Sequence, residues 1–316
     1  MPPVVIDLFC GGGGFSRGFK VAGFRIAFGL DVDATCGKTY KANFPEAVTL
    51  VEDIRDISGR DILYLVDEHP DIVIGSPPCE PFTGANPNRE KDPLDRLYKD
   101  PMGTLTLEYI RLVGELKPKI FVMENVPALN VPVIREVLVN EFKYYGYNRV
   151  YFNILRAEDY GTPSRRVRLF LSNVPIEPKQ IGKKITVKEA IDGITCESDI
   201  PNNECSPISE KKLKRIARVL WGKALYYYQG ATKKLPNYVR LSPDDIAPTV
   251  LGCSRFIHPF ENRLLTVREQ ARLMGFPDHH VFFGDKDQQY NQVGEAVPPP
   301  LAHAIALYLL NKYFTY

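Results

Sequence analysis

Three segments hold residue types that could do covalent chemistry. Ser76-Pro77-Pro78-Cys79-Glu80-Pro81 sets a cysteine between prolines, directly after the apolar run Asp71-Ile72-Val73-Ile74-Gly75. Proline fixes the backbone, so the thiol is held at a strand end, a clamp that an inert core cysteine does not need. Cys79 is therefore the candidate nucleophile. A free thiol ionises near pH 8.5, so the site must favour thiolate or remove the proton on demand. Glu80 beside it works against thiolate unless its carboxylate points away. Met123-Glu124-Asn125-Val126-Pro127 puts a carboxylate after a second apolar run. Glu124 there suits a ring nitrogen, although alone it could equally cap a helix. Asp7-Leu8-Phe9-Cys10-Gly11-Gly12-Gly13-Gly14 runs from a strand into a glycine turn, where backbone can approach a ligand closely. Asp31 follows about twenty residues later, the place of an acid that holds ribose hydroxyls. Together these favour a nucleoside cofactor and leave the nicotinamide and sulfonium classes open. The spacing Gly-x-Gly-x-x-Gly is not met, because Gly11, Gly13 and Ser16 take those places.

The other cysteines exclude some chemistries. Cys10, Cys36, Cys196, Cys205 and Cys253 form no C-x-x-C pair and lie at no metal-ligand spacing from histidine. No metal site is expected, and a disulfide framework is improbable in a long chain with no signal peptide. They read as buried thiols.

The elements that must position these residues follow from apolar periodicity. Buried strands are predicted at Val4 to Leu8, Phe24 to Leu30, Asp71 to Gly75 and Lys119 to Met123, with further candidates at Arg149 to Leu155 and Arg166 to Ser172. Helical patterns fall at Phe15 to Ala22, Ala34 to Asn43, Thr104 to Leu116, Thr266 to Met274 and Pro299 to Phe314. Continuous apolar strands separated by helices mean an α/β fold with a mostly parallel sheet covered on both faces. In such sheets ligands sit beyond the carboxyl ends of the strands, where Gly11, Cys79 and Glu124 all fall. Asn86 to Met102 reads as a loop that closes over substrate, or as a plain surface loop.

The 316 residues suit one large domain and a smaller one. A composition break gives the division 1–175 for the catalytic and cofactor-binding part, 176–284 for a small recognition part, and 285–316 for a segment returning to the first. No run reaches the ~20 apolar residues of a membrane span. A cytoplasmic protein with no membrane association is expected. Net charge is only +2, yet Ser206 to Arg240 holds nine Lys/Arg against one acid. Trp221, Tyr226, Tyr227, Tyr228 and Tyr238 interleave with them, a mixture that suits phosphates and bases. The competing reading is a helix from Lys211 to Leu225, with Leu213, Ile216, Leu220 and Ala224 inward and its lysines merely solvated.

In order along the chain, these segments resemble the motifs of the cytosine-C5 DNA methyltransferase family. Tyr160-Gly161-Thr162-Pro163-Ser164-Arg165-Arg166-Val167-Arg168, Arg263-Leu264-Leu265-Thr266-Val267-Arg268-Glu269 through Arg272-Leu273-Met274-Gly275-Phe276-Pro277, and Gln292-Val293-Gly294-Glu295-Ala296-Val297-Pro298-Pro299 extend the likeness over nearly the whole chain except about 176–240. The resemblance implies a Rossmann-like S-adenosylmethionine-dependent methyltransferase domain with a smaller target-recognition domain. It implies that Cys79 attacks C6 of a cytosine flipped out of the duplex, and that Glu124 contacts N3 and the exocyclic amine. Arg166 and Arg168 would face the flipped base, with Arg168 at the base carbonyl. Phe9, Gly11, Gly13, Asp31, Val32, Asp53, Ile54, Pro78, Leu105, Glu295 and Ala296 would line the S-adenosylmethionine site, with Asp53 on the adenine amine. Lys211, Lys212, Arg215, Arg218, Lys233 and Lys234 would contact double-stranded DNA. A cognate restriction endonuclease and action as a monomer are the expected company.

Three residues depart from the family pattern. Ser164 replaces a usual glutamine, Glu295 a usual asparagine, and Glu80 a common glutamine. Three other readings stay open at this point: a tRNA cytosine methyltransferase on the same catalytic domain, a nucleic-acid-binding relative without catalysis, and a nicotinamide dehydrogenase. The tRNA branch would carry Cys-Phe-Thr where this chain has Cys253-Ser254-Arg255. Intact Cys79 and Glu124 oppose the second, and the third leaves the Pro-Pro-Cys segment unexplained.

Overall fold

The computed structural model describes residues 1–314. Its strands are β1 (Val4–Leu8), β2 (Arg25–Asp31), β3 (Val48–Val51), β4 (Ile72–Gly75), β5 (Ile120–Asn125), β6 (Tyr151–Arg156), β7 (Val167–Ser172), β8 (Ala224–Gln229), β9 (Lys234–Arg240) and β10 (Phe256–Ile257). Its helices are α1 (Gly14–Val21), α2 (Ala34–Asn43), α3 (Gly59–Val66), α4 (Pro93–Tyr98), α5 (Leu105–Leu116), α6 (Pro132–Tyr144), α7 (Val187–Ile191), α8 (Glu210–Ile216), α9 (Val267–Leu273), α10 (Lys286–Glu295) and α11 (Pro299–Leu309).

The first seven strands form one sheet in the order β3-β2-β1-β4-β5-β7-β6. β1 to β5 pair in parallel, and β7 runs antiparallel to both β5 and β6. Successive side chains of a strand point to opposite faces, and the two cores divide accordingly. Val5, Ile72, Ile74, Ile120 and Val122 pack with α1 and α11 through Phe15, Phe19, Leu301 and Ile305. Ile6, Leu8, Val73, Phe121 and Met123 pack with α3, α5 and α6 through Ile62, Leu112, Leu138 and Phe142. The strand order reverses direction between β1 and β4, so the crevice beyond their carboxyl ends is the place where such sheets bind ligands. Residues 286–314 are long and apolar enough to cross a membrane by length and composition, but 56% of that apolar window is buried inside the fold. α11 packs there on α1.

A third apolar cluster joins α7, β9, α9 and α10 through Val187, Ile191, Val239, Val267, Leu273, Tyr290 and Val293. It runs past residue 284, so α10 shares the core of the smaller module. Capping boxes at Thr186 and Thr266 start α7 and α9, each closed by a glutamate three residues on.

Several sequence expectations need correction. The helical spacing from Lys211 stops at Ile216, and residues 224–229 are strand. Gly222, at φ 73°, leaves no room for helix to continue to residue 225, and the run Tyr226-Tyr227-Tyr228 has the aromatic character of a strand. Cys196 and Cys205 are joined by a disulfide rather than free. They lie nine residues apart in a loop that their bond closes. Cys36 is only half-buried and Cys253 is exposed, so of the free cysteines expected to be buried thiols Cys10 alone is one. The segment from Asn86 to Met102 contains α4, started by the Asp92 cap and Pro93, with Leu97 fully buried.

Candidate active site

Cys79 leaves the carboxyl end of β4 on a loop fixed from both sides. The Ser76 N–H donates to the Leu8 carbonyl, and the Cys79 carbonyl accepts from the Phe82 and Thr83 N–H groups at 3.0 and 2.9 Å. Asn125, at the end of β5, donates to the Pro77 carbonyl at 3.1 Å. Phe82 anchors the loop in the core.

Parallel pairing sets Gly75 against Met123, so Glu124 follows one residue beyond, at the same sheet edge as Cys79. The antiparallel β7 sets Glu124 opposite Phe170, and Arg168 lies two residues along on the same face. That diagonal is within reach of long side chains. Arg168 Nε meets Glu124 Oε1 at 2.8 Å, with side-chain exposures of 10% and 7%. Sheet register thus delivers a desolvated carboxylate–guanidinium pair beside the thiol.

The thiol itself is held in its neutral form. Burial first, then the carboxylates of Glu80 and Glu124, push Cys79 up to about 12, against the pull of Arg168 and Arg166. Arg166 is fully buried, and its guanidinium donates to the carbonyls of Val250 and Gly294 at 2.8 Å and of Glu295 at 3.2 Å. Those bonds tie β7 to the end of α10. Its Nε alone lacks a partner.

The glycine turn leaves the carboxyl end of β1, which pairs in parallel with β4, the strand that leads to Cys79. Phe9, Gly11 and Gly13 all have positive φ, at 64°, 48° and 79°. Asp31 accepts the Gly11 N–H at 2.8 Å and the Asp33 N–H at 3.0 Å. Burial nevertheless raises its pKa. A side chain at Gly11 would meet nothing within 4 Å, whereas one at Gly13 would strike Phe44 at 2.5 Å. The turn is therefore open on the Gly11 side and closed behind. An open glycine backbone flanked by a half-buried carboxylate fits a nucleoside cofactor with ribose hydroxyls.

Val32 is exposed, Ile54 buried, and Leu105 opens α5. Pro78 directly precedes the thiol. Asp53 caps the turn Ile54–Asp56 and holds Arg55 through both carboxylate oxygens, at 2.9 and 2.6 Å, a pairing that lowers its pKa. The C-terminal segment returns to the turn: a Cβ at Gly14 would lie 2.3 Å from the Val297 carbonyl and 3.0 Å from Ala296. Glu295 ends α10 and is exposed to the crevice, where surrounding protein and the charge of Glu80 raise its pKa. Two of the three departures from the family pattern, Glu80 and Glu295, are thus electrostatic neighbours. The third, Ser164, is buried against the Met274 sulfur.

The basic segment forms the β8–β9 hairpin and α8. Lys211, Arg218, Lys233 and Lys234 are exposed. Arg215, also exposed, and the half-buried Lys212 lie over the rings of Tyr226 and Tyr238, at 4.7 and 4.2 Å. The hairpin tip reaches the nucleophile loop, where the Ala231 N–H donates to the Gly84 carbonyl at 2.9 Å. Sequence reasoning missed this contact, since a glycine carbonyl carries no signal. It also passed over Asn125, although that residue stands inside the Glu-Asn-Val motif. A buried cluster beneath the glycine turn escaped notice as well: Ser16 donates to Asp7 at 2.6 Å and lies 2.7 Å from the Tyr40 hydroxyl. Among the described residues no group of His, Cys, Asp or Glu could hold a metal ion.

Comparison with known proteins gives the family and the fold. Residues 4–311 match the family described as C-5 cytosine-specific DNA methylase. The chain is 49% identical over 307 residues to a Methanocaldococcus jannaschii protein recorded provisionally as the type II methyltransferase M.MJ0563P, covering 96% of this chain and 97% of that one. It is 35% identical over 325 residues to the type II methyltransferase M1.HphI of Haemophilus parahaemolyticus, covering 95% and 85%. A prophage-encoded Escherichia coli protein, provisionally described as a DNA modification methyltransferase, superposes with a TM-score of 0.77 at 26% identity over 98% and 99% of the two chains.

Proposed function

Because the chain belongs to the C-5 cytosine-specific DNA methylase family, and so transfers a methyl group to C5 of cytosine in DNA, we propose that Cys79, Glu124 and Arg168 are the residues that carry the reaction. What supports this reading is their convergence at one sheet edge: a thiol and a buried ion pair 2.8 Å long, at the carboxyl ends of strands that run parallel to the one bearing the open glycine turn.

Cys79 adds through sulfur to C6 of the cytosine, and the thiol proton must leave as the bond forms, since the resting thiol is held neutral. Glu124, protonated for this step, donates its proton to N3 and accepts from the exocyclic amine; the electron pair displaced from the C5–C6 double bond then settles as an enamine whose nucleophilic carbon is C5. Arg168 keeps the Glu124 carboxylate oriented and has spare N–H groups for the base carbonyl. Arg166 holds the C-terminal segment against β7, which keeps Glu295 and Ala296 beside the cofactor turn. S-adenosylmethionine supplies the electrophilic methyl group when bound. Phe9, Gly11, Gly13, Asp31, Val32, Ile54, Pro78 and Leu105 would hold it. Asp53, which already holds Arg55, keeps a free lone pair on its second oxygen for the adenine amine. Loss of the C5 proton then expels the Cys79 thiolate. C6 is inaccessible inside a duplex, so the base is flipped into the crevice.

Residues 176–284 serve target recognition in this reading, with Lys211, Lys212, Arg215, Arg218, Lys233 and Lys234 toward the phosphates. The type II names of the relatives support a cognate endonuclease of the same target. One chain carries every candidate residue, which suits a monomer. The test is labelled methyl transfer from S-adenosylmethionine to duplex DNA and to tRNA, with wild type and Cys79→Ser. Transfer to duplex DNA that vanishes in the serine variant is expected. Undiminished transfer by Cys79→Ser would remove the thiol from its role.

A further inference from the structure

His280 is fully buried, belongs to none of the family segments, and touches no reacting group, yet both its ring nitrogens are engaged. Nδ1 faces Arg17 Nε at 3.3 Å and Nη2 at 3.2 Å. Nε2 lies 2.7 Å from the Gly12 carbonyl. The partners fix the tautomer, because a guanidinium only donates and a carbonyl only accepts. Nδ1 is therefore the acceptor and Nε2 carries the hydrogen. Burial and the charge of Arg17 lower the ring's pKa to about 3, so it stays neutral at every working pH.

The segment that presents His280 is gripped from two sides. From α2, Asn43 exchanges a reciprocal pair of hydrogen bonds with the Val281 backbone, at 2.8 and 3.1 Å. From the smaller module, Asn202 does the same with Phe282, at 2.7 and 2.9 Å. Arg268 donates to the carbonyls of His280 and Pro277. Two side-chain amides thus act as strand partners for one short piece of backbone, and its first side chain reaches into the cofactor turn.

What His280 holds is the peptide between Gly12 and Gly13. Its N–H donates to the Cys10 carbonyl at 2.8 Å and its C=O accepts from His280. Glycines on both sides give this peptide wide freedom to reorient. Gly11, next along, is the residue that faces open space and is bonded to Asp31.

We propose that His280 is a positioning residue for the methyl donor: by donating to the Gly12 carbonyl it locks the glycine turn into the one orientation that receives S-adenosylmethionine. The proposal rests on the assignment of that turn to the cofactor. It separates hydrogen bonding from packing, because glutamine can place an amide N–H where Nε2 sits, whereas leucine fills the space without a donor.

The test measures S-adenosylmethionine affinity by calorimetry, with no DNA present, for wild type, His280→Gln, His280→Leu and Asp31→Ala, alongside melting temperatures. A buried carbonyl deprived of its donor corresponds to about a tenfold change in Kd. His280→Leu should weaken binding by about that factor and raise the cofactor KM to match, with kcat at saturating cofactor changing far less. His280→Gln should restore most of the affinity. Equal losses in Leu and Gln variants, no loss in either, or losses that simply follow the melting temperature would each overturn the proposal. Asp31→Ala separates the two layers: undiminished binding by that variant would refute the assignment of the turn itself, and the role of His280 with it.

Discussion

Glu80 stands next to the nucleophile as an exposed carboxylate and raises the Cys79 pKa, second only to burial. Glu124, the other acid acting on the thiol, is already paired with Arg168. The informative perturbation is therefore Glu80→Gln, which removes one charge and keeps the shape. With the thiol held near 12, thiolate at pH 8 amounts to roughly one molecule in ten thousand. Two charges roughly 6 Å apart, as on neighbouring side chains, interact by roughly 0.7 kcal/mol under the screening of water. Exposure of Glu80 keeps the interaction at that screened end. Removing it should lower the Cys79 pKa by about half a unit and raise thiolate at fixed pH about threefold. Alkylation by iodoacetamide, followed by mass spectrometry of the Cys79 peptide from pH 7 to 10, reads this directly, with Cys79→Ser as the blank. Methyl transfer measured as kcat/KM should shift toward acid by the same amount. An unchanged or slower alkylation rate in Glu80→Gln would refute the electrostatic account of this departure from the family pattern.

Three further outcomes follow from the packing. Glu124→Gln leaves Arg168 buried beside Arg166 without its counter-charge, and should cost about 3 kcal/mol of stability and about a hundredfold in methyl transfer; a variant that melts with the wild type would contradict the ion pair. Asp7 is buried with a folded pKa raised to about 7, mainly by desolvation, so its protonated form favours the fold below about pH 4 and this contribution is lost as pH rises toward 7. Asp7→Asn lacks that titration, and denaturant unfolding should show the variant gaining on the wild type by up to about 1.4 kcal/mol per pH unit between those limits; parallel curves would refute the shift. Opening the Cys196–Cys205 loop with the double serine variant should lower stability by about 2.5 kcal/mol for so short a closure, read as a drop of several degrees in Tm that reductant reproduces in the wild type.

The sheet and the edge where chemistry occurs were readable because apolar runs ending in Gly11, Cys79 and Glu124 carry both the strand signal and the chemical one. The antiparallel turn of β7 was not, since a buried strand reads the same in either direction, yet that reversal is what brings Arg168 to Glu124. The α8 region misled for a related reason. Leucine spacing favoured a long helix, and a glycine at positive φ with three successive tyrosines overrode it. The disulfide stayed hidden because two cysteines nine residues apart in a polar loop match no motif spacing, and only the folded loop brings them together. His280 had no signature, because its partner is a backbone oxygen 268 residues away.

The hydrogen bond from Ala231 to Gly84 makes the hairpin tip part of the wall around the nucleophile. A Cβ at Gly230 would press within 3.0 Å of that same Gly84 carbonyl, so the tip can barely vary. In the reading proposed above, where this module recognises the target, the same contact gives one small loop two duties: a side chain added at position 230 would press on the loop that carries Cys79, so a change made in the hairpin would be felt at the nucleophile.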